Sequence, residues 1–453
     1  RKADQVTNFS SNMKCTRFRL VVLFAIVLMI LVYRNIFRNG QSFPQENYVW
    51  NDSSEQTTQE RISISISISL FLRMSGERKD HQIRFYCSML RTLVLFWPPS
   101  LGKMVIVLDK ESKADHIFGS QIINQILEHF SNYTFEVKYE QLPKDASVLD
   151  FPGRLKSPGY IRQLWSSFFI DLYTNDSIIA WLDTDSPFLF PVTMPTIISD
   201  GKVRVLGTDC TMNIGWVKSW SQTTEKAIGF PQLVDFMTYF PVYIYRDTFT
   251  RCREHILKRF HTSNFETAFK KIYHTGTGHI SPVSVILSYA WYFEKDRYDW
   301  NIQICNDLNK YNYRLPEGHK IQLKHVKNVL TQPQTAYHGP LNADDFYAKA
   351  IPIAFCLSQA FAGRKPTICE KHPASEINYL LNLFKSDMHS LRKNLPHPCT
   401  GNWRKMCLDI LERHFRKIGA EIKTNSRTLE WKNFEIVEAL ARETDVTCPA
   451  HPV

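Results

Sequence analysis

Apolar and polar positions along the chain fall into two periods, and the places where the period changes mark its elements. Residues 62–72 read ISISISISLFL. A period of two built on β-branched residues predicts a strand, and its apolar continuation places that strand near the centre of a sheet. KMVIVLD (103–109) is a short apolar run of the kind a parallel strand shows. Next, Ile117, Ile122, Ile123, Ile126, Leu127 and Phe130 recur at helical spacing, and FEVKY (135–139) predicts a third strand. Strand, helix, strand predicts a right-handed βαβ unit and a parallel sheet.

SPGYIRQLWSSFFIDLYT (157–174) predicts a helix. Tyr160, Ile161, Leu164, Trp165, Phe168, Phe169, Leu172 and Tyr173 form its apolar face. Arg162, Gln163, Ser166, Ser167 and Asp171 form the other. IIAWLD (178–183) follows as a strand, and RVLGT (204–208) and FPVYIY (240–245) add two more. A helix is expected after Arg246, and another from Pro282 with Ser281 as its N-cap. Beyond residue 350 the strand patterns stop. SEINYLLNLFKSDMHSL, CLDILERHFRKIGAEI and LEWKNFEIVEALARET predict three amphipathic helices.

One apolar run is longer than the rest. Phe18 to Phe37 would make about 30 Å of helix, enough to cross a membrane, with Arg19 and Arg34 at the two interfaces. No small-residue cleavage site follows, which favours an uncleaved signal anchor over a signal peptide. Arg1, Lys2, Lys14, Arg17 and Arg19 precede the run, and only Arg34 and Arg38 follow closely. That bias puts the N-terminus in the cytoplasm and the bulk of the chain in a lumen or outside. The expected organisation is a tail (1–17), an anchor (18–37), a polar stem (38–61), an α/β domain (62–350) and a helical, cysteine-bearing extension (351–453). Sequons at Asn51, Asn132 and Asn175 are compatible with secretory passage.

Composition narrows the classes. At 44% hydrophobic and 22% charged, the 453 residues are neither disordered, collagenous nor a coiled coil. Ten cysteines are too few for a disulfide-dense scaffold. Cys15 falls on the cytoplasmic side. The nine that remain are an odd number, so one is free or open to pairing with another chain, which allows an oligomer. Cys369, Cys399, Cys407 and Cys448 crowd the end and are expected to staple it. The net charge of +11 permits anionic partners. No Lys/Arg block of five occurs, so nucleic acid is not an expected partner.

The chemistry concentrates at Asp183-Thr184-Asp185, where an apolar strand ends. Two carboxylates one residue apart at the carboxyl edge of a parallel sheet suit a divalent cation, and hard oxygen ligands suit Mg²⁺ or Mn²⁺, which can bridge a diphosphate. An isolated D-x-D is most often a strand-ending turn with solvated acids. Here the apolar anchor and the alternating α/β pattern favour the metal.

The segment SPGYIRQLWSSFFIDLYTNDSIIAWLDTDSPFLFPVT resembles the D-x-D region of Golgi glycosyltransferases with the GT-A nucleotide-sugar fold. It is closer still to a set of uncharacterised invertebrate glycosyltransferase-like proteins with an aromatic helix, a D-T-D strand and a following P-V-T. The resemblance covers about residues 62–350. It implies a Rossmann-like, mostly parallel sheet flanked by helices, in a Golgi-membrane type II transferase. The implied ligands are Mn²⁺ or Mg²⁺ and a nucleotide-sugar donor such as a UDP-sugar, with a glycan, glycolipid or glycoprotein as acceptor. By that resemblance Asp185 would touch the metal directly, and Asp183 would hold ribose or metal through water. A histidine would complete the metal site, His338 in preference to His325. Arg162 and Gln163 would reach the donor phosphates, and Arg73 the nucleotide. A base, if one is used, would be Asp209 or Asp235. Inversion and retention are left open. Trp216, Trp220, Trp291 and Tyr289 suit sugar stacking, yet aromatics in such segments are mostly core, and none is assigned.

Two rival readings stand. A haloacid-dehalogenase-type phosphatase also uses an apolar strand and D-x-D, but it wants Thr or Val where Pro187 stands, and it places the motif on the domain's first strand. A lumenal protein that kept the fold and lost turnover is the other.

Overall fold

A computed structural model describes residues 66–150, 158–213, 215–237, 239–273, 279–327, 343–370, 377–378, 380–382 and 403–448. The expected anchor and stem, Asn51, Cys15, Cys399 and His338 lie outside the described residues. No helix among the described residues is long and apolar enough to cross a membrane.

The strands are β1 (Ile68–Arg73), β2 (Gly102–Leu108), β3 (Phe135–Tyr139), β4 (Ile178–Leu182), β5 (Ile198–Ser199), β6 (Lys202–Thr208), β7 (Val242–Tyr245) and β8 (Tyr298–Gln303). The larger sheet runs β3-β2-β1-β4-β7. Its first four strands are parallel, and β7 closes the edge antiparallel to β4. β1 and β4 are buried along their whole length, β4 as an unbroken apolar run and β1 with Ser69 and Arg73 buried among its apolar residues. A smaller sheet, β5-β6-β8, stands beside it, with β6 parallel to β8. The expected central strand, the βαβ unit and the mostly parallel sheet are all present. Gly102 opens β2 at φ +154°, where a Cβ would lie 1.8 Å from the Ile68 carbonyl oxygen, so only glycine fits.

The longer α-helices among the described residues are α1 (Lys79–Arg84), α2 (Arg91–Phe96), α3 (Lys113–His129), α4 (Pro158–Ser166), α5 (Gly215–Ile228), α6 (Arg246–Arg259), α7 (Phe265–Tyr273), α8 (Pro282–Phe293), α9 (Ala343–Phe361), α10 (Trp403–Thr424) and α11 (Trp431–Glu443). A π-helical turn, Phe85–Leu90, joins α1 to α2. α8 starts as expected: the Ser281 hydroxyl accepts from the Ser284 N–H, and Pro282 occupies the first turn.

Two expected helix faces are corrected. In α3 the core side carries Phe118, Ile122 and Ile126, while Ile117 and Leu127 are 70% and 66% exposed. Ile122, Ile126 and Phe130 are buried as expected, and Phe118 takes the core position expected of Ile117. In the 157–174 segment the α-helix gives way at Ser167 to a 3₁₀ turn running to Leu172. The change of twist turns Asp171 inward and leaves Leu172 outside. Asp171 is buried because the Arg253 guanidinium meets it with two hydrogen bonds of 2.6 and 2.7 Å.

Contacts divide the chain into Arg1–Ile64 and Ser65–Val453, and every described residue belongs to the second unit. The C-terminal helices are bonded into that unit. Cys448 pairs with Cys87 of the π turn, and Cys369 pairs with Cys356 of α9. The cysteines at the end therefore do not simply staple the end to itself. Arg91 of α2 donates to Glu438 of α11 at 2.9 Å and lies over the Phe434 ring. Arg427 donates to the carbonyls of Val192 and Phe96. Gly419 of α10 crosses α9 so closely that a Cβ would lie 2.5 Å from the Phe361 backbone. Cys210 pairs with Cys305, and Cys407 is also disulfide-bonded. Among the described residues the free cysteine is Cys252. It is wholly buried in α6, and burial pushes its thiol far up. It is out of reach of another chain, so among the described residues no free cysteine is placed for the expected bridge to an oligomer.

Burial holds the imidazoles of His325 and His414 down to about 4, against an ordinary 6.5. The His325 ring accepts from the Gln322 N–H, and His414 Nε2 is buried without a partner. Between pH 6.5 and 4 the unfolded chain binds these protons and the folded one does not. The stability each neutral ring contributes is thus complete above pH 6.5 and lost as pH falls to 4, by on the order of 3 kcal/mol each. Urea midpoints measured from pH 7 to 4.5 should fall, and His414→Phe should flatten that slope.

Candidate active site

The four parallel strands deliver their carboxyl ends to one edge, the edge where α/β sheets bind ligands. β1 ends in Arg73, β2 is followed by Asp109, β3 by Glu140 and β4 by Asp183. Past β4 the chain turns. Thr184 and Ser186 are buried, whereas Asp183 and Asp185 are half-buried. A tight turn holds them: the Thr184 N–H donates to Asp183 Oδ1 at 2.7 Å, and the Ser186 N–H to the Asp183 carbonyl at 3.3 Å.

A cleft of about 290 Å³ opens on these acids. Arg73 and Gln163 line it with Asp183 and Asp185, as do His81, Arg84, Tyr160, Trp220, Met237 and the Ile280–Val283 segment that starts α8. The structure thus brings four of the expected residues together.

Arg73 is fixed from behind. Its Nε and Nη2 donate to Glu140 Oε2 at 3.2 and 3.0 Å, with both side chains almost wholly shut from solvent. Glu140 is itself clamped through its neighbour. The Gln141 N–H donates to the Tyr173 hydroxyl, and the Gln141 carbonyl accepts from the Trp165 indole. Burial raises the Glu140 carboxyl above its ordinary value, against the pull of Arg73. Arg162 does not line the cleft. It pairs with Asp109 and Glu111 and stands 4.0 Å from Glu140, as a second cation behind the first.

Asp209 and Asp235 lie outside the cleft lining as well. Asp209 accepts from the Cys305 N–H at 2.6 Å and from Asn306 Nδ2 at 2.9 Å, beside the Cys210–Cys305 disulfide. Asp235 bridges Thr208 through its backbone, and its Oδ1 accepts from the Met237 N–H at 2.8 Å. Both are buried, and in this structure they anchor loops. Among the described residues Asp209, Cys210 and Cys305 bring their side-chain donor atoms within 4.8 Å of one another. The two cysteines are spent on a disulfide, so this is no metal centre. His325 lies in the core against Trp291, away from the cleft, and His338 is outside the described residues.

The sequence reading missed His81 and Arg84. Burial lowers the pKa of His81, and its Nδ1 accepts from the Ser75 N–H at 3.3 Å. The neutral ring therefore carries its proton on Nε2 and is a donor. Arg84 is exposed and has no ion-pair partner among the described residues. The ERKDHQIR stretch that carries both lacks an apolar stripe, so hydrophobic periodicity gave no signal for them.

A larger depression of about 880 Å³ lies at the amino ends of β2 and β3, between Trp97, Tyr133 and the α10–α11 loop. None of the expected site residues reaches it.

No family model matches the chain, and no curated protein matches it by sequence. Among solved structures it is similar to S. aureus TarS, with a TM-score of 0.26 and 11% identity over 84% of this chain and 92% of that one. It is similar to the mannosyltransferase PcManGT from Pyrobaculum calidifontis in complex with GDP-Man and Mn²⁺, at TM-score 0.24 and 10% identity over 83% and 87%. Mouse xyloside xylosyltransferase 1 aligns at TM-score 0.30 and 12% identity over 59% and 99%. At these scores the likeness carries no argument about activity.

Glu140→Ala should cost about 3–5 kcal/mol of folding stability, because it leaves the Arg73 charge buried and unpaired. Chemical denaturation measures it. Glu140→Ala with Arg73→Met, which removes both charges, should recover most of that loss.

Proposed function

We propose that the cleft binds a nucleotide sugar with a divalent cation and transfers the sugar to an acceptor. The observation that carries this is the meeting of Asp183 and Asp185 with Arg73, Gln163, His81 and Arg84 around one cleft at the carboxyl edge of a parallel sheet.

The donor set fits a cation of the Mn²⁺ or Mg²⁺ type: two half-buried carboxylates that line one cleft offer hard oxygens. Asp185 and Asp183 would hold it. When bound, such an ion neutralises charge developing on a departing phosphate. The charge balance favours a diphosphate. Two carboxylates offset the cation, Glu140 offsets Arg73, and Arg84 with the His81 Nε2–H is left for phosphate oxygens. Gln163 adds an amide for sugar or phosphate. In the transfer the bond from the sugar's anomeric carbon to the phosphate oxygen breaks. A bond to an acceptor hydroxyl forms, and the hydroxyl proton leaves to a base or to the departing phosphate. Among the described lining residues Asp183 and Asp185 are the acids and His81 the histidine.

We place the chain as a single-pass type II protein of the Golgi membrane, anchored by residues 18–37, with this unit in the lumen and a UDP-sugar as donor. The anchor and its flanking charges support that reading. So do the Cys87–Cys448, Cys210–Cys305 and Cys356–Cys369 disulfides, which belong in an oxidising compartment. The acceptor is a glycan, glycolipid or glycoprotein.

Thermal unfolding with UDP, GDP and CMP, each with and without Mn²⁺, tests the donor site. One nucleotide at about 100 times its dissociation constant should stabilise the fold by about 2.7 kcal/mol, only with Mn²⁺, and not in Asp185→Asn. No Mn²⁺-dependent shift from any nucleotide would contradict the proposal.

A further inference from the structure

Four aromatic residues suit sugar stacking by sequence, and the structure separates them. Trp291 and Tyr289 are buried in the core of α8, with the Trp291 indole donating to the His319 carbonyl. Trp220, by contrast, lines the cleft beside Asp183 and Asp185. Its indole N–H is buried and has no acceptor. One turn earlier on the same helical face stands Trp216, 47% exposed.

The cleft is about 290 Å³, at the lower end of roughly 300–1,000 Å³ for ligand pockets. A nucleotide sugar fills such a space, so the acceptor approaches from the rim. α5 forms part of that rim and is held in place, because Thr223 on it donates to the His279 carbonyl just before the cleft-lining Ile280–Val283 segment. Around Trp216 the chain is polar: Asn213, Lys218 and Gln222 are exposed, and Ser219 and Ser221 are half-exposed. A lipid acceptor would need a contiguous apolar patch, which the described residues of this rim do not offer. A flat ring edged by hydrogen-bonding side chains suits a pyranose, whose one face is apolar and whose edge is hydroxyl.

We propose that Trp216 and Trp220 form an acceptor platform and that the acceptor is a carbohydrate, its pyranose ring laid on Trp216 with a reactive hydroxyl turned toward the Asp183–Asp185 end of the cleft. This rests on the transferase reading for the word acceptor, though the sugar-binding surface stands without it. The residues concerned make a binding surface and carry no chemistry of their own.

The test uses the full chain and a panel of methyl pyranosides (methyl α- and β-glucoside, galactoside, mannoside and N-acetylglucosaminide), read by saturation-transfer NMR. The donor site is read separately by the Mn²⁺-dependent nucleotide stabilisation. At least one glycoside should receive saturation, strongest on the protons of one ring face. Its affinity should fall at least tenfold in Trp216→Ala, an exposed substitution that leaves the core intact. Trp220→Phe, which keeps an aromatic ring but removes the N–H, should weaken it severalfold. A glycoside signal with no nucleotide shift would sink the transferase reading and leave the platform standing. No glycoside signal from the wild-type chain, or a signal unchanged in Trp216→Ala, overturns the platform whatever the nucleotides do.

Discussion

A guanidinium and a carboxylate, both shut from solvent, span the carboxyl edge of the main sheet. Arg73 ends β1 and Glu140 follows β3, with β2 between them. Neither charge is tolerable there alone, since burying an unpaired ion costs far more than the pair gains. The pair therefore requires β1, β2 and β3 to finish level with one another. Other contacts exist to keep that arrangement. Tyr173 and Trp165 grip Gln141 next to Glu140. Asp115, fully buried at the start of α3, accepts from the Glu77 and Asp109 N–H groups at 2.9 and 2.8 Å and so joins the loops after β1 and β2. With its back fixed, Arg73 presents to the cleft as a set feature rather than a mobile chain. That rigidity is what a site needs if it is to hold a diphosphate against two carboxylates.

The C-terminal helices belong to the same piece of engineering. A disulfide from Cys448 to Cys87 and an ion pair from Arg91 to Glu438 fasten α11 along the π turn and α2. That run of helix begins at α1, which carries His81 and Arg84 to the cleft. A π-helical turn inside a helix offsets the register on either side of it and is common near functional sites. Here it lets the run present basic side chains to the cleft at one end and an apolar seat for α11 at the other. The extension is thus mechanically continuous with one wall of the site.

Much of this was legible in the chain. Apolar runs disclosed β2 and β4, the alternating ISISISIS with its apolar continuation disclosed β1, and the D-T-D at the end of IIAWLD sits where the sequence pattern predicts, with Arg73 and Gln163 beside it. What failed did so for physical reasons. Asp209 follows a strand just as Asp183 does, Asp235 stands in an isolated bridge to Thr208, and sequence does not distinguish a carboxylate facing a cleft from one spent on backbone N–H groups. Arg162 neighbours Gln163, but helical geometry points the two about 100° apart, one to Asp109 and one to the cleft. Asp171 looked like surface until a 3₁₀ turn and Arg253 took it inside. His81 and Arg84 sit in a charged stretch that reads as linker, and Cys448 found its partner 361 residues away, beyond any local pattern.

The central claim is that a cation and a diphosphate meet on Asp183 and Asp185. Crystals grown with Mn²⁺ and the stabilising nucleotide, with anomalous data collected near the manganese edge, address it directly. The account predicts an anomalous peak about 2.0–2.3 Å from an Asp185 oxygen, with phosphate density reaching toward Arg84 and His81. Nucleotide density in the depression at the amino ends of β2 and β3, or a metal peak away from the two acids, would contradict it.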